Sequence, residues 1–339
     1  MHIWVPVYKN RGDKLQCKNY RGISLLCIGY KILTTVISNI LRKYTEYIIG
    51  EYQAGFRTGK STADQIFTVK NLLEKAWEHN IEIHQIFVDF QKAYDSIRGD
   101  KLYAIMAHFG IPNKLIRLTK ATMENSTYYV KIGTIMTDCF KVGTGLQQED
   151  ELAPNLYNIA LEYVIRQLSV QTTQTVFHKS VQLIGYADDM NIMGRTNKAI
   201  SDVYGELEET AKEVGLIINV DKTKAIVQNW RLGKGGTLTV EDHKIEVVRR
   251  FKYLGTVING SSDEMEEIRA RILASNKAYS SLQTIFRSKQ IHRNNKIKLS
   301  KTLIKPIFCY GSVIWTLTQT AEQILNTFEG KNIAKNTIS

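Results

Sequence analysis

The chain has 339 residues, 43% hydrophobic and 23% charged, a composition typical of globular proteins with a sizeable core. Lys and Arg number 45 against 33 Asp and Glu, and the resulting net charge of +12 favours a polyanionic partner. The four cysteines lack the spacing of a zinc site or a disulfide framework. The sequence shows no secretory signal and no apolar run of membrane-spanning length. It therefore predicts an intracellular protein, nuclear or cytoplasmic, without a membrane partner.

The spacing of apolar residues predicts the secondary structure in chain order. Residues 1–20 are expected to form loop or edge strand. The helices are predicted at 29–48, 63–79, 100–109, 113–123, from Pro154 onward, and at 200–214. The strands are predicted at about 82–89, 127–142 (a hairpin), 181–193 (a hairpin), 216–218, 224–229 and 250–258. The section from about 83 to 258 thus has the ferredoxin-like βαββαβ order, and the residues that follow it are predicted to be helical.

Three aspartates stand where predicted strands end. Asp89 closes the apolar run 86–88, and Asp188 and Asp189 lie at the turn of the hairpin at 181–193. The βαββαβ order would bring Asp89 close to this pair. Taken alone, two aspartates at a turn also fit an ordinary solvated hairpin. Carboxylates gathered from distant segments are, however, what phosphoryl transfer by two metal ions requires.

A basic stretch follows the predicted sheet. Residues 269–305 contain ten Lys or Arg and no acidic residue. A basic helical face is often only a solvated surface, but an excess of this size favours contact with nucleic acid. The segment Gly55–Ser61 superficially matches a phosphate-binding loop, yet it has three residues between its glycines where that motif needs four.

Six signatures occur in the order that one protein family has. They are Asn19–Leu26, Gln53–Arg57 with Ser61 and Thr62, Phe87–Asp95, Gly145–Gln148, Tyr186–Asp189, and Phe251–Gly255. Through them the chain resembles the reverse transcriptase of non-LTR, LINE-like retrotransposons, over essentially all of residues 3–318. The resemblance implies an α+β right-hand polymerase with a ferredoxin-like βαββαβ palm and a helical, basic thumb. The fingers would span 1–80, the palm 81–262 (with a fingers-associated insertion at about 112–145), and a truncated thumb 263–339.

The resemblance also implies an activity, RNA-directed DNA polymerisation. Asp89 and Asp188 match the two metal-binding carboxylates of the family, and Asp189 matches its third catalytic one. Two Mg²⁺ ions, with Mn²⁺ as an alternative, would activate a primer 3′-hydroxyl for attack on a dNTP. The implied partners are an RNA template, a DNA primer and dNTPs, whereas protein partners stay undetermined.

Further residues receive roles from the same resemblance. Arg21 and Lys9 would hold the triphosphate, Gln148 would pack against the nucleotide, and Lys222 would protonate the pyrophosphate leaving group. Tyr94 would exclude a ribose 2′-hydroxyl. Considered without the motifs, Lys9 and Lys222 fit solvated surface lysines, and Tyr94 fits an ordinary core tyrosine. The predicted nucleic-acid contacts are Arg57, Lys60, Tyr253, Arg269, Arg271 and Lys277.

The nucleotide pocket departs from the family pattern directly after Gln148. The family has Gly-Asp there, whereas this chain has Glu149, Asp150 and Glu151. Bulk and negative charge near a triphosphate are expected to weaken dNTP binding. One alternative is therefore a non-catalytic, nucleic-acid-binding remnant of such an element. A nucleotide cyclase with a similar palm is a third reading, which the finger signatures and the basic thumb disfavour.

Overall fold

The computed structural model describes residues 2–10, 12–124, 127–147, 149–170, 181–228, 236–240, 242–261 and 263–337. These residues form two compact units. The first unit contains residues 1–61, 84–225 and 236–247, and the second contains 62–83, 226–235 and 248–339. The division into fingers, palm and thumb remains a prediction. None of the described helices is both long and apolar enough to cross a membrane.

Strands and helices alternate through most of the described chain. The strands are β1 His2–Tyr8, β2 Tyr20–Leu25, β3 Ile83–Val88, β4 Thr127–Ile132, β5 Ile135–Met136, β6 Phe140–Lys141, β7 Val181–Tyr186, β8 Asp189–Gly194, β9 Lys224–Gln228, β10 Gly236–Val240, β11 His243–Val247, β12 Arg250–Tyr253 and β13 Thr256–Asn259. The helices are α1 Ile28–Ile48, α2 Thr62–Glu78, α3 Ala93–Ser96, α4 Gly99–His108, α5 Asn113–Met123, α6 Ala153–Gln167, α7 Asn197–Val214, α8 Glu264–Ser281, α9 Gln283–Arg287, α10 Arg293–Leu299, α11 Lys305–Cys309 and α12 Gln319–Thr337.

The main sheet has the spatial strand order β10-β11-β9-β3-β8-β7. Four of its six strands come along the chain in the order β3, β7, β8, β9, with β4 to β6 of another sheet between β3 and β7. In space these four strands are ordered β9-β3-β8-β7. This is the split βαβ arrangement that the sequence predicted. Helix α6 shares one hydrophobic core with the sheet, and its residues Leu156, Ile159, Ala160 and Val164 are at most 1% exposed. The removal of this apolar surface from water stabilises the packing.

The N-terminal strands form a sheet of their own, ordered β2-β1-β4-β5 with β6 beside β4. Strand β1 lies between its neighbours, antiparallel to β2 and parallel to β4. The expectation of a loop or edge strand at residues 1–20 was therefore wrong for β1. The β10–β11 hairpin was not predicted, and residues 216–218 form only a single bridge, between Ile218 and Phe90, instead of a strand.

Helix α1 buries its more polar face. Ser38 Oγ donates to the carbonyl of Glu151 at 3.1 Å and accepts from Asn155 Nδ2 at 2.7 Å, so small polar side chains join α1 to the region of α6. The apolar spacing used to predict this helix lies on its exposed side: Ile32, Val36, Ile40, Tyr44 and Tyr47.

Candidate active site

The main sheet brings two of the chain's aspartates to one end. Val88 of β3 pairs with Met190 of β8, so Asp89 and Asp189, which flank that pair, leave their strands side by side. The β7–β8 hairpin closes just beyond, where Tyr186 pairs with Asp189. The strand register itself therefore gathers carboxylates that are about a hundred residues apart in the chain.

Asp89 is tied to the segment that leads into β9. Its carbonyl accepts from the N–H of Asn219 at 2.7 Å, and its own N–H donates to Thr223 Oγ1 at 3.3 Å. Its carboxylate Oδ2 accepts a hydrogen bond from Lys222 Nζ at 2.9 Å. The ammonium group of Lys222 therefore lies within the carboxylate cluster.

The carboxylates act on one another electrostatically. Loss of hydration in the folded chain raises the pKa of Asp188, and the neighbouring Asp89 raises it further. The same causes, with Asp188 and Asp89 as the repelling neighbours, raise the pKa of Asp189 to about 6. Lys222 opposes both shifts. A cation between these groups would relieve their repulsion.

The donor set fits a hard divalent cation. Mg²⁺ prefers carboxylate oxygens, and Asp89, Asp188 and Asp189 supply them at one end of the main sheet. As the side chains stand, no three metal-ligating groups among the described residues converge on one point. Asp89 is instead paired with Lys222.

Asp189→Asn should stabilise the metal-free protein at neutral pH. An acid with a raised pKa favours folding below its unfolded value near 3.8, and this contribution is lost as pH rises towards about 6. Because Asp189 is exposed and solvent weakens its interactions, we expect the variant to melt only slightly above the wild type at pH 7.5, and the difference to shrink towards pH 4. Thermal melts in EDTA measure this difference in melting temperature. Asp202→Asn, on the exposed side of α7, is the control. A difference that does not change with pH would contradict the coupling.

Two tyrosines, the buried Tyr157 and the half-buried Tyr94, border the cluster. The rings of Tyr94 and Tyr157 are 4.9 Å apart, and among the described residues neither hydroxyl has a hydrogen-bond partner. Burial, followed by the charge of Asp188, raises the pKa of both groups. Both hydroxyls are therefore neutral, and Tyr94 presents its ring beside the carboxylates.

Arg21 extends from the N-terminal sheet towards the same cluster. It is exposed on β2, and its charge lowers the pKa of Asp188. Lys9 follows β1 and is also exposed, and its N–H donates to the carbonyl of Asn19 at 2.9 Å. Gln148, the third residue predicted to contact the nucleotide, lies outside the described residues.

The three acidic residues at the departure from the family pattern differ in their surroundings. Glu149 is exposed and has a positive φ of 73°. Asp150 is buried and accepts a hydrogen bond from the hydroxyl of Tyr30 at 3.2 Å. Glu151 lies 3.7 Å from Arg42 of α1, so its charge is partly neutralised. Of the two glutamates expected to repel a triphosphate, Glu149 alone keeps an unusual backbone conformation.

The structure gives Arg57 a role different from the predicted template contact. Its side chain is 5% exposed and lies 3.2 Å from Glu46. It also donates to the carbonyls of Gly50 and Gln53 at 2.9 and 3.1 Å. This guanidinium is used to hold its own loop together. Lys60 is exposed and pairs with Glu51 at 2.6 Å.

The residues predicted to bind nucleic acid in the second unit fall into two groups. Tyr253 is only 2% exposed, and Arg271 packs over the ring of Tyr310 while bonding Glu267 and the carbonyl of Gly255. Tyr253 is thus buried and Arg271 is bonded within the unit, and the nucleic-acid contact predicted for both stays a prediction. Arg269 and Lys277 are exposed on α8. The other exposed basic residues of this stretch are Arg287, Lys289, Arg293, Lys298, Lys301 and Lys305.

Sequence reasoning assigned no role to two residues that the fold brings to the site. Tyr157 lies on the buried face of α6, where its spacing is that of any core residue. Gln53 belongs to the second signature, and its amide contacts the backbone of the aspartate turn. No local pattern indicates either contact, because both depend on residues more than 60 positions away.

The fold and this site define an α+β right-hand polymerase. The structure is similar to that of apo telomerase from Candida tropicalis, with a TM-score of 0.50 and 16% sequence identity, over 91% of this chain and 59% of that one. Residues 8–258 match the family model described as reverse transcriptase (RNA-dependent DNA polymerase). The chain belongs to the reverse transcriptase family.

Two relatives show which kind of reverse transcriptase this chain resembles, namely the kind found in mobile elements and transposons. The chain is 23% identical over 333 residues to the RNA-directed DNA polymerase from mobile element jockey of Drosophila melanogaster. It is 25% identical over 322 residues to the probable RNA-directed DNA polymerase from transposon X-element of the same species. Each alignment covers 92% of this chain and 34% of the relative, so the chain spans about a third of their length.

Proposed function

We propose that this chain extends a DNA primer on an RNA template by adding dNTPs. The observation that carries the proposal is the gathering of Asp89, Asp188 and Asp189 at one end of the main sheet, where they repel one another. Members of the reverse transcriptase family use a divalent metal, and Mg²⁺ held by these three carboxylates would supply a Lewis acid for nucleotidyl transfer.

Other side chains near the carboxylates would bind the triphosphate, donate a proton or exclude a ribose. Arg21 is an exposed guanidinium beside Asp188, and its planar fork suits a triphosphate. Lys9, on the same sheet, is a second candidate for this contact. Lys222 Nζ donates a hydrogen bond to Asp89 Oδ2 and would give a proton to the departing pyrophosphate. The ring of Tyr94 would occupy the space that a ribose 2′-hydroxyl needs.

Template and primer would bind through phosphate contacts. The exposed cations of the second unit, including Arg269 and Lys277, lie in a stretch without acidic residues. Such contacts neutralise phosphates and release counterions. Lys60 is a further candidate in the first unit, although a phosphate would have to replace Glu51 as its partner.

Primer extension on poly(rA)/oligo(dT) with dTTP and Mg²⁺ tests the proposal. We expect extension by the wild type and at least a ~1,000-fold loss in Asp188→Ala, since a lost metal ligand costs several kcal/mol of transition-state stabilisation. Fluorescence anisotropy should show unchanged template–primer binding by the variant. Equal extension by both proteins would indicate a contaminating polymerase.

The rival function is nucleic-acid binding without catalysis, which Glu149 favours because it places a negatively charged side chain where the family has glycine. A wild type that binds the template–primer but does not extend it, with either Mg²⁺ or Mn²⁺, would support this remnant. Failure of both binding and extension would contradict both functions.

A further inference from the structure

The aspartate turn contains a strained residue. Because Tyr186 pairs with Asp189, Ala187 and Asp188 form a two-residue hairpin loop. Ala187 has a φ of +57°, in the left-handed region that L-residues other than glycine rarely adopt, because their Cβ comes too close to the following carbonyl oxygen. Hairpin loops of this length normally place glycine, asparagine or aspartate at such a position. Something outside the turn must therefore stabilise Ala187.

A single buried amide contacts both main-chain groups of Ala187. Gln53, 1% exposed, accepts at Oε1 a hydrogen bond from the N–H of Ala187 at 2.8 Å. Its Nε2 donates to the carbonyl of Ala187 at 3.1 Å. The same Oε1 accepts from the N–H of Gly55 at 2.8 Å, which fixes the amide itself. Only a side chain that both donates and accepts can make this set of bonds.

The segment that carries Gln53 is fastened to the hairpin by its backbone. The N–H of Ala54 donates to the carbonyl of Gly185 at 2.9 Å, and the N–H of Gly185 donates to the carbonyl of Tyr52 at 2.8 Å. Asn158 Nδ2 of α6 adds a bond to the carbonyl of Gly55 at 2.9 Å. The backbone on both sides of Gln53 is thus fixed, so the Gln53 side chain starts from a defined position beside the turn.

We propose that Gln53 is a positioning residue that holds Ala187 in its left-handed conformation and thereby orients Asp188 and Asp189 towards bound cations. The catalytic consequence rests on the proposed function, whereas the consequence for cation binding does not. Asp188 follows Ala187 directly, so a change in the backbone of Ala187 would redirect both carboxylates. Loss of the amide should therefore affect kcat and cation affinity much more than the KM for dNTP.

Gln53→Met tests the proposal because methionine keeps the length of the side chain and removes both polar atoms. Gln228→Met is the matched control, since Gln228 is a second buried glutamine and its Nε2 donates to a backbone carbonyl, that of Leu73, at 2.9 Å. Gln228 is the last residue of β9. It lies about 17 Å along the extended chain from Thr223, the residue of this segment that contacts the backbone of Asp89. Both substitutions remove buried hydrogen bonds, and only one of them lies at the turn.

We expect Gln53→Met to lower kcat at least tenfold and to change the KM for dTTP less than threefold. The Mn²⁺ concentration that gives half of the maximal rise in melting temperature should increase at least fivefold. Gln228→Met should leave all three quantities within twofold, even if it melts lower. Equal effects of the two substitutions, or unchanged cation binding in Gln53→Met, would overturn the proposal.

Ala187→Gly supplies a second, independent measurement. Glycine adopts a positive φ without strain, so the turn should depend less on the amide. We expect Gln53→Met to weaken Mn²⁺ binding at least threefold less in this background than in the wild-type background. An equal loss in both backgrounds would mean that Gln53 does not act through Ala187. If the wild type extends no primer, the proposed function fails, while the Mn²⁺ melts still decide the role of Gln53.

Discussion

Replacing Glu149 with glycine will lower the KM for an incoming dNTP by tenfold or more and raise the melting temperature. Two properties of this residue lead to the same expectation. It carries a negative charge in the segment that the family uses to bind nucleotide, and it has a backbone conformation that suits glycine. Each property has its own measurable consequence.

The charge acts on the nucleotide. A carboxylate 4–8 Å from a triphosphate costs roughly 2–4 kcal/mol at an effective dielectric of about 20. Since about 1.4 kcal/mol corresponds to one decade in affinity, removing the charge should improve dNTP binding by roughly 30-fold to several hundredfold. Steady-state extension at varied dTTP concentration measures this.

The backbone acts on stability. Glu149 has a φ of 73°, and relief of that strain by glycine should stabilise the fold by about 1–2 kcal/mol. Glu149→Gln separates the two effects, because it removes the charge and keeps the strain. We expect Glu149→Gln to lower the KM without raising the melting temperature, whereas Glu149→Gly should do both.

Glu151→Gln is the matched control for charge. Glu151 lies two residues away and is paired with Arg42, so its removal should change the KM less than threefold. If Glu149→Gly and Glu149→Gln leave the KM for dTTP at the wild-type value, the charge at this position does not reach the nucleotide.

Gly55→Ala will reduce extension at least ~100-fold and lower the melting temperature. A Cβ at this position would lie 2.1 Å from the backbone nitrogen of Ala187 and 2.8 Å from its Cα. Neither atom can move away as a flexible side chain would, so the segment and the hairpin must separate. Overpacking of this kind costs about 1–3 kcal/mol, and the separation would also break the hydrogen bonds of Gln53 to the turn.

Gly29→Ala is the control for this substitution. Gly29 lies in the first turn of α1 with no heavy atom within 4 Å of an added Cβ, so alanine should leave extension unchanged and stabilise the helix by up to about 1 kcal/mol. Extension assays and thermal melts of both variants distinguish the cases. Wild-type extension by Gly55→Ala would show that the close contact is not needed for the aspartate turn.

Local sequence pattern carried most of the information about the main sheet. Strands β3, β7, β8 and β9 were predicted because apolar runs of the right length end at turn residues. Helices α6 and α7 have clear apolar spacing, and Gly110 and Gly215 are stop signals for α4 and α7. The pairing of Asp89 with the aspartate hairpin followed from the order of these elements. The family signatures added the roles of the aspartates, which turn chemistry alone does not supply.

The same reasoning failed where burial depends on polar groups. The buried face of helix α1 includes Ser38, whose hydroxyl forms hydrogen bonds with Asn155 and with the carbonyl of Glu151. The spacing of hydrophobic residues does not predict contacts between polar groups. Arg57 was predicted to contact template phosphates because it is a cation in a family signature. The sequence does not show that its side chain bonds to Glu46, eleven residues earlier. Buried side-chain hydrogen bonds require the tertiary structure to be known before they can be assigned.

The mutual repulsion of the three carboxylates bears on how this chain would drift if selection for its activity ceased. A substitution that neutralises Asp188 or Asp189 removes a source of instability, so purifying selection on folding does not oppose it. Such a lineage would lose catalysis while its protein stayed abundant and well folded. Among copies of this sequence, the codons for Asp188 and Asp189 are therefore a better record of past polymerase activity than expression level or solubility.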